Sequence, residues 1–413
     1  MDYVFAEGNG RVISGKDKIF GVSTLAKEAI RRDGKENVTN ATIGALIDDN
    51  GELIVLSSMI DVLKEMKPAE FAEYAPIAGI PEYLEVLPRA AFGDHRPDGY
   101  IEGCATPGGT GTIRNTISCY SRYGDAVLTS NWFWSPYNII ATEIGRRVET
   151  YEMFDENEHF NLKGFEEKIM ELLKKQDSLV IIFNAPAHNP TGYTPSDEEW
   201  DEIVAILKRC GASGKKITML LDIAYIDFSG DPDARRFLPK FGNMPDNILV
   251  IAGFSASKGF TFYGLRTGGM LCITQNKEIA EEFKRVTSFA SRGSWSNCVR
   301  VGQLAIARVF NDAALLQKVS DERRIHENML AARCTAFKEE AAAAGLKTCP
   351  FKGGFFVTVP CENDDAVNQE LFKDNIFGIA IGGGVRIAIS AISEEKCRKV
   401  PAKIAAAIKT ING

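Results

Sequence analysis

Histidine is scarce in this 413-residue sequence. The sequence also lacks histidines at metal-ligand spacing, a Cys-x-x-Cys pair and an apolar run long enough to cross a membrane. The four histidines include no pair with the spacing of metal ligands, so we expect no histidine-based metal site. The nine cysteines include no Cys-x-x-Cys pair, which predicts reduced thiols in a reducing compartment. The longest strongly apolar run, residues 248–254, is far shorter than the ~20 residues that cross a bilayer.

Positive charge is also in deficit. The chain has 48 Lys and Arg against 55 Asp and Glu, a formal net charge of -7. Nucleic-acid-binding proteins usually carry a basic excess, so we expect no nucleic-acid partner. A few cations in one pocket can still bind a small anion. The first residues do not combine a basic start with an apolar run, so we expect no signal peptide and a cytoplasmic location.

The composition that is present, with 45% hydrophobic and 25% charged residues, is that of a folded globular protein. Short apolar runs recur through the middle of the chain and are bounded by Gly, Asp, Asn or Pro. They are residues 126–129, 179–183, 217–221 and 248–252. Such runs are typical of strands buried on both faces of a parallel sheet. Helical patterns separate them, and one begins at the predicted N-cap Ser196.

This alternation predicts an α/β fold with a mostly parallel central sheet and helices on both faces. The length favours a second domain, because one core rarely grows this large. A long helical stretch at 311–344, strands at 355–359 and 385–389, and a final helix at 396–411 predict a smaller α+β unit. We interpret residues 1–50 as an N-terminal arm and part of the small domain, 51–310 as the large cofactor-binding domain and 311–413 as the small domain.

Polar motifs follow several of the predicted strands. A Gly-rich turn at 106–112 precedes a helical pattern, an arrangement that suits a phosphate, although most such turns are only turns. His-Asn-Pro-Thr-Gly at 188–192 follows one strand, and Asp-Ile-Ala-Tyr at 222–225 ends the next. Open α/β sheets bind ligands at such strand exits. Taken singly, His-Asn-Pro-Thr-Gly could be a plain turn, and Asp222 could equally be a helix-capping or loop acid.

Two basic residues stand out for their positions. Lys258 lies in Ser-Ala-Ser-Lys-Gly, at another strand exit, and Arg266 follows it. Most lysines are solvated surface residues, but one held among cations and apolar walls has a lowered pKa and can form a Schiff base. Arg386 alternates with the apolar residues of its strand. It is either a solvent-facing residue or a clamp for a carboxylate.

Taken together and in this order, the segments from about residue 40 to about residue 390 resemble the class I, fold-type I aminotransferases of the aspartate and aromatic aminotransferase family. The resemblance implies that Lys258 forms a Schiff base with pyridoxal 5'-phosphate and that Asp222 pairs with the pyridine nitrogen. It implies that Asn189 and Tyr225 contact the phenolic oxygen. Residues matching the phosphate-binding positions of the family are Gly109, Thr110, Ser255, Ser257 and Arg266.

The resemblance also assigns the substrate contacts. Trp134 matches the aromatic side chain that stacks on the cofactor ring, and its spacing to Gly145 favours it over Trp132. Arg386 matches the clamp for the substrate α-carboxylate. Gly44, together with Trp134 and Asn189, is assigned to substrate binding.

Two matches belong to segments that cross to a partner subunit in this family. Tyr74 matches a residue reaching the neighbour's phosphate, and Arg292 matches the one that binds a side-chain carboxylate. The resemblance therefore implies a homodimer with shared sites. The chain departs from the family pattern where Tyr137 replaces a frequent histidine beside the ring-nitrogen acid. Cys298 and Val299 replace usual prolines after the Arg292 segment.

The expected reaction is transamination between an L-amino acid and a 2-oxo acid, with aspartate or glutamate and 2-oxoglutarate or oxaloacetate as the first choice. An aromatic substrate is the main alternative, and a β-lyase on the same fold is a less favoured one. A transcription regulator containing such a domain would need an added DNA-binding domain. We see no basic helix pair before Asn40 that could supply it.

Overall fold

A computed structural model describes residues 5–8, 10–11 and 18–413. Its helices are α1 (Lys18–Asp33), α2 (Ser57–Lys64), α3 (Pro68–Ala72), α4 (Pro81–Phe92), α5 (Gly108–Tyr120), α6 (Pro136–Glu143), α7 (Leu162–Lys175), α8 (Asp197–Gly211), α9 (Ala256–Gly259), α10 (Lys277–Ser294), α11 (Arg300–Asn311), α12 (Ala313–Ala343), α13 (Asp364–Lys373) and α14 (Glu394–Asn412). Short 3₁₀ helices cover Ile226–Phe228, Leu238–Phe241 and Ile389–Ala391.

The strands are β1 (Thr39–Asn40), β2 (Tyr100–Pro107), β3 (Ala126–Ser130), β4 (Arg147–Tyr151), β5 (Ser178–Asn184), β6 (Lys216–Asp222), β7 (Ile248–Ser255), β8 (Thr267–Thr274), β9 (Phe356–Pro360), β10 (Ile376–Phe377), β11 (Ile379–Ala380) and β12 (Gly384–Ala388). Within the described residues, the main sheet has seven strands in the order β2-β8-β7-β6-β5-β3-β4. Strands β7, β6, β5, β3 and β4 run parallel, and β8 is antiparallel to both of its neighbours. The predicted, mostly parallel α/β sheet is therefore confirmed.

Each of the four apolar runs forms a strand of this sheet. β3 and β7 are buried along their whole length, as expected for strands covered on both faces. Helix α8 begins where the sequence predicts it. The hydroxyl of Ser196 accepts a hydrogen bond from the Glu199 amide at 3.2 Å, and the Glu199 carboxylate accepts one from the Ser196 amide at 2.6 Å. This capping box satisfies two amides that the helix itself cannot bond.

A smaller antiparallel sheet has the order β11-β12-β9. β12 is its central strand, and Arg386 lies opposite Ile379 on one side and Thr358 on the other. A side chain on a central strand covered by helices is not free to face solvent, and only 4% of Arg386 is exposed. The solvent-facing interpretation of Arg386 is therefore wrong.

The N-terminal arm contains a helix that no strong pattern in the sequence indicates. Helix α1 spans Lys18–Asp33, with Ala26 and Ala29 buried on its narrow apolar face. Gly21 inside the helix and Gly34 after it obscure the pattern, and Gly34 ends the helix with φ +87°. Beyond α1, the arm joins the small unit, since β1 pairs in parallel with β10. The part of the arm at residues 1–4, 9 and 12–17 lies outside the described residues.

Buried apolar side chains form separate clusters around the two sheets. The cluster on one face of the main sheet contains Val319, whereas the cluster of the small sheet contains Leu330 and Phe337. All three residues belong to α12, so this helix packs into both cores. The proposed domain boundaries at residues 50 and 310 remain a prediction. No helix among the described residues is both long enough and apolar enough to cross a membrane.

Candidate active site

A cavity of about 360 Å³ opens where β5, β6 and β7 end. It lies between the two cores, because its wall combines residues of the main sheet with Phe356 and Arg386 of the small sheet. The structure brings most of the predicted site residues to this wall. They are Gly44, Gly109, Thr110, Trp134, Asn189, Asp222, Tyr225, Ser255, Ser257, Lys258, Arg266 and Arg386.

Lys258 lies on the short helix α9, directly after β7. Ser255 caps this helix, since its hydroxyl accepts a hydrogen bond from the Ser257 amide at 3.4 Å. The Lys258 amine donates to the carbonyl of Gly44 at 2.5 Å. It also lies 5.4 Å from the ring centre of Tyr225 and 4.9 Å from that of Tyr263.

The surroundings of this amine disfavour its charged form. Burial is the main cause, and the charges of Arg266 and Arg386 add to it, so the pKa of Lys258 falls to about 7 although Asp222 acts against the change. An ordinary lysine is almost fully protonated at neutral pH. A substantial share of Lys258 is therefore the free amine, which can act as a nucleophile or a base.

Asp222 ends β6 at the floor of the cavity and is only 7% exposed. The Tyr137 hydroxyl donates to its Oδ2 at 2.9 Å, and the Ala224 amide donates to its Oδ1 at 3.3 Å. Burial raises the pKa of Asp222 to about 6, and these two hydrogen bonds and Lys258 oppose the rise. The carboxylate can consequently hold or share a proton near neutral pH.

Asn189, Tyr225 and Arg386 form a connected polar group on one side of the cavity. The Asn189 amide nitrogen Nδ2 donates to the Tyr225 hydroxyl at 3.4 Å, and its Oδ1 accepts from Arg386 at 3.3 Å. The backbone amide of Asn189 donates to Oδ1 of Asn184 at 2.7 Å. One amide side chain thus links the Tyr225 phenol, from the segment after β6, to the Arg386 guanidinium on β12.

Arg386 reaches the cavity from the small sheet. Its Nη2 donates to the carbonyl of Thr42 at 2.7 Å, and its guanidinium lies 4.5 Å from the ring centre of Phe356. Burial lowers the pKa of Arg386 to about 10, so the group remains a cation at neutral pH. Its buried Nε has no hydrogen-bond partner among the described residues. A buried cation with an unused donor is suited to an anionic ligand.

The Gly-rich turn and Arg266 lie together at the other end of the cavity. Gly108 has φ +69°, and a Cβ there would stand 2.6 Å from Nη2 of Arg266. Arg266 Nη1 donates to the Ser257 hydroxyl at 3.3 Å. Helix α5 begins at Gly108, so its first amides are available to an anion. A guanidinium, hydroxyls and a helix N-terminus converge here as a phosphate requires.

Of the two candidate tryptophans, Trp134 lines the cavity, and its ring meets that of Tyr137 edge-on at 5.6 Å. Trp132 instead lies beside Gly384, where a Cβ would be 3.1 Å from its ring. His188, within the second motif, is buried and its Nδ1 lies 2.8 Å from the Thr191 hydroxyl. Burial lowers the pKa of His188 to about 3, so this histidine is a neutral residue of the turn.

Sequence reasoning missed several residues of the wall. Tyr263 accepts a hydrogen bond from the Leu46 amide at 2.9 Å, and Thr42 supplies the carbonyl for Arg386. Asn184 pairs in register with Asp222 on the next strand. Asn184 had a signal that could have found it, since a polar residue ending a buried strand beside Asp222 falls at the same sheet edge. Thr42 had none.

Tyr74 and Arg292 are not part of the cavity wall of this chain. Tyr74 is 84% exposed and lies just after α3. Arg292 is exposed in the last turn of α10 and donates to the Ser296 hydroxyl at 2.6 Å. No group of three or more His, Cys, Asp or Glu is placed to hold a metal ion in the part of the chain that the structure describes.

The cavity fits pyridoxal 5'-phosphate by the chemistry of its groups. The end formed by Gly108, Ser257 and Arg266 suits the phosphate. Lys258 offers an amine to the aldehyde, and Asp222 offers a buried carboxylate to the ring nitrogen. The unused Nε of Arg386 lies beyond these groups, where a second anion can bind.

Comparison with known proteins agrees with this geometry. The family model described as aminotransferase class I and II matches residues 36–404. The mitochondrial aspartate aminotransferase of Xenopus tropicalis is 30% identical over 281 residues, which are 66% of this chain and 62% of that relative. The alignment thus spans less than two thirds of the relative's length.

Solved structures extend the similarity to nearly the whole chain. An aminotransferase from Anaerococcus prevotii DSM 20548 superposes with a TM-score of 0.95 at 37% identity, covering 98% of this chain and 100% of that one. An aromatic-amino-acid aminotransferase from Burkholderia pseudomallei, covalently bound to pyridoxal phosphate, has the same fold. Its TM-score is 0.78 at 22% identity, with 98% of this chain and 100% of that one covered. The chain therefore belongs to the class I and II aminotransferase family and is a pyridoxal 5'-phosphate-dependent aminotransferase.

Proposed function

We propose that this enzyme transfers the amino group of L-aspartate or L-glutamate to 2-oxoglutarate or oxaloacetate. The observation that carries the proposal is the presence of Lys258 and Arg386 on one cavity wall. An amine with a pKa of about 7 can move a proton, and a buried guanidinium can hold a carboxylate beside it. An α-amino acid presents both a carboxylate and a proton at one carbon.

Each of several residues of this chain has one role in the proposed reaction. Arg386 binds the substrate α-carboxylate, and Lys258 takes the proton from the α-carbon and later returns a proton. Bound pyridoxal 5'-phosphate supplies a ring that withdraws electrons from that carbon. Asp222 keeps a proton at the ring nitrogen, and Trp134 covers the ring face. Asn189 and Tyr225 hold the phenolic oxygen and orient the ring for Lys258.

A second carboxylate receptor must come from outside this cavity. Among the described residues, the basic side chains that line the cavity are only Lys258, Arg266 and Arg386. Each of them already has another role in the proposed reaction. We assign the receptor to Arg292 of a second copy of the chain and the neighbouring phosphate contact to Tyr74 of that copy. The described contacts of Arg292 are with a hydroxyl, so its charge is not neutralised by a carboxylate. The active unit is then a homodimer with shared sites.

An aromatic substrate is the second candidate. The wall of the cavity carries apolar residues, including Ile19, Ile43 and Ile113, which could cover an aromatic ring. The Burkholderia relative is named for such substrates. Both functions share Lys258 and Arg386, so the side-chain receptor distinguishes them.

A comparison of donors tests the proposal. We expect kcat/KM for L-aspartate to exceed that for L-phenylalanine in the wild type, with 2-oxoglutarate as acceptor. Arg292→Leu should lower kcat/KM for aspartate by about a hundredfold, as for the loss of a charge-assisted pair. Arg285→Leu removes an exposed arginine from the same helix and is the control. A wild type that prefers phenylalanine would establish the aromatic alternative.

Mixing two impaired variants tests the shared site. Lys258→Ala and Arg292→Leu each damage one chain, but a hybrid dimer has one site with neither change. Aspartate activity should rise when the two are unfolded together and refolded. No rise, with dimers shown by sedimentation, would contradict the assignment of Arg292 to the partner subunit.

We also propose a cytoplasmic location, supported by the nine unpaired cysteines, all of which lie in the described part of the chain. Fractionation of cells that express the full-length protein tests it. Recovery in an organelle fraction would contradict it.

A further inference from the structure

A buried carboxylate lies behind the turn that carries Lys258. Asp227 occupies the 3₁₀ helix that follows Tyr225, and only 6% of its side chain is exposed. Its Oδ2 stands 1.9 Å from the position that a Cβ on Gly259 would take. Tyr225 precedes Asp227 by two residues, and Gly259 follows Lys258 directly. The contact therefore joins the two segments that supply these cavity residues.

Two arginines fix this carboxylate in place. Nη2 of Arg235 donates to Oδ1 of Asp227 at 2.7 Å, and Nη1 of Arg323 lies 3.5 Å from the same oxygen. Arg235 is itself anchored, since its Nε donates to the carbonyl of Ala91 at the end of α4. Arg323 comes from α12, the helix that packs into both cores. The carboxylate cannot move away from Gly259 without separating a largely buried ion pair, which is costly.

Gly259 has a steric role here. It is absent from the positions with positive φ, so its backbone conformation is one that any residue adopts. The space above its Cα is instead filled by Asp227, whose Cγ would stand 2.8 Å from a Cβ. Separations below 3.0 Å force a shift of one group. With Asp227 fixed, that shift falls on the turn Ala256–Gly259.

We propose that Asp227 is a positioning residue for Lys258: held by Arg235 and Arg323, its carboxylate packs on Gly259 and sets the turn that aims the Lys258 amine into the cavity. The inference rests on the role proposed above for Lys258. It makes a defined prediction about coupling, because a methyl group at position 259 is harmful only while the carboxylate is present. After Asp227→Ala, the nearest retained atom of that residue would be its Cβ, at 3.3 Å.

A double-mutant cycle tests the coupling in the full-length holoenzyme. The variants are Gly259→Ala, Asp227→Ala and the two combined, and Gly264→Ala is the control because a Cβ there meets no atom within 4 Å. The readouts are kcat and KM, the unfolding midpoint, and the visible circular dichroism of the bound cofactor. The last reports how the Lys258-linked ring sits in its chiral surroundings, and it is recorded before any donor is added.

Gly259→Ala should lower kcat by about tenfold, change the visible circular dichroism and leave KM within about threefold. In the Asp227→Ala background, the same change should alter kcat by less than about threefold. Equal losses in both backgrounds, or an unchanged dichroism band in Gly259→Ala, would overturn the proposal. If Gly259→Ala does not fold, the comparison of Asp227→Ala with the double variant decides: matching spectra support the contact, and an unfolded double variant overturns it.

This outcome is independent of substrate choice. A preference for phenylalanine over aspartate would defeat the proposed substrate and leave the cycle unaffected. A Lys258→Ala variant that retained activity would defeat the role of Lys258 itself. Additive effects in the cycle, with both of those results as expected, would defeat the role of Asp227 alone.

Discussion

The hydroxyl of Tyr137 donates a hydrogen bond to Oδ2 of Asp222 across 2.9 Å. Both side chains are buried, and burial raises the pKa of Asp222 to about 6 while this hydrogen bond lowers it. The pKa of Tyr137 is itself raised well above its ordinary value by burial and by the charge of Asp222. The phenol therefore stays neutral across the working pH range and always donates. A histidine at this place would add a second group titrating near neutrality.

Tyr137→Phe should move the acid limb of the activity profile to higher pH. Removing a donor to the carboxylate raises the pKa of Asp222 above about 6, so protonated Asp222 persists further into the neutral range. We expect kcat/KM to fall about tenfold at pH 6.5 and less at pH 8.5. The measurement is a pH profile of kcat/KM between pH 5.5 and 9.

Tyr193→Phe is the matched control. Tyr193 is also buried, and its hydroxyl donates to Glu199 at 2.5 Å, away from the cavity. Loss of that bond should lower the unfolding midpoint without shifting the profile. Identical profiles for Tyr137→Phe and the wild type would mean that Tyr137 does not tune Asp222.

Lys258→Ala should abolish turnover, with a loss of at least about a thousandfold, because Lys258 is the only lysine among the described residues of the wall. The visible absorption that depends on the lysine–cofactor bond should disappear as well. Lys396→Ala is the matched control. Burial lowers the pKa of Lys396 as it does that of Lys258, but the Lys396 amine is bound elsewhere and donates to the Val38 carbonyl at 2.7 Å. Steady-state assays and absorption spectra are the measurements. A Lys258→Ala enzyme that turns over at the normal rate would contradict the role of Lys258.

Arg386→Lys should weaken substrate binding, although it keeps the charge. A lysine lacks the planar pair of donors that match a carboxylate, and it cannot span from Thr42 to Asn189 as Arg386 does. We expect kcat/KM to fall about a hundredfold, largely through KM. Arg398→Lys, at an exposed ion-paired arginine, should change neither constant. An unchanged KM in Arg386→Lys would remove this residue from substrate binding.

The cofactor-free chain should gain stability from Lys258 as the pH rises from about 7 to about 10. The pKa of Lys258 is about 7 in the fold, whereas an unfolded lysine titrates near ~10.4. Between these values the unfolded chain binds more protons, so raising the pH favours the folded state. The free energy of unfolding of the wild type minus that of Lys258→Met should increase over this range.

Urea unfolding at pH 7, 8.5 and 10 measures this difference. Lys352→Met, at an exposed lysine, is the control. A Lys258→Met difference that stays flat or decreases would show that the lysine is not held in its neutral form.

The ends of the buried strands could be predicted because parallel strands share one direction. Asn184, Asp222 and Gly253 lie side by side in register at one sheet edge, so motifs after successive strands converge there. Apolar composition and strand-bounding residues were sufficient to find these strands. The antiparallel strands β2 and β8 were not among the predicted strands, because β2 mixes polar and apolar residues and the apolar run of β8 is only residues 270–273.

Contacts made by backbone carbonyls were beyond prediction. Lys258 donates to Gly44 across 214 positions of sequence, and Arg386 donates to Thr42 across 344. Every residue carries a carbonyl, so no side chain marks the ones that turn toward a cavity. The contact of Asp227 with Gly259 is hidden for a related reason. An acid and a glycine are ordinary loop residues until the fold brings them together.

The turn that carries Lys258 packs into the core of the main sheet through Ala256 and Phe260, and the strand that carries Arg386 packs into the core of the small sheet through Val385 and Ile387. An amino acid bound by Lys258 and Arg386 at once is therefore a noncovalent cross-link between the cores. Its affinity includes the entropy lost when their relative motion is restricted. An unreactive substrate analogue should bind the folded chain but not the unfolded chain, and by mass action it should raise the unfolding temperature. Catalysis and the mechanical coupling of the two cores thus depend on the same two side chains.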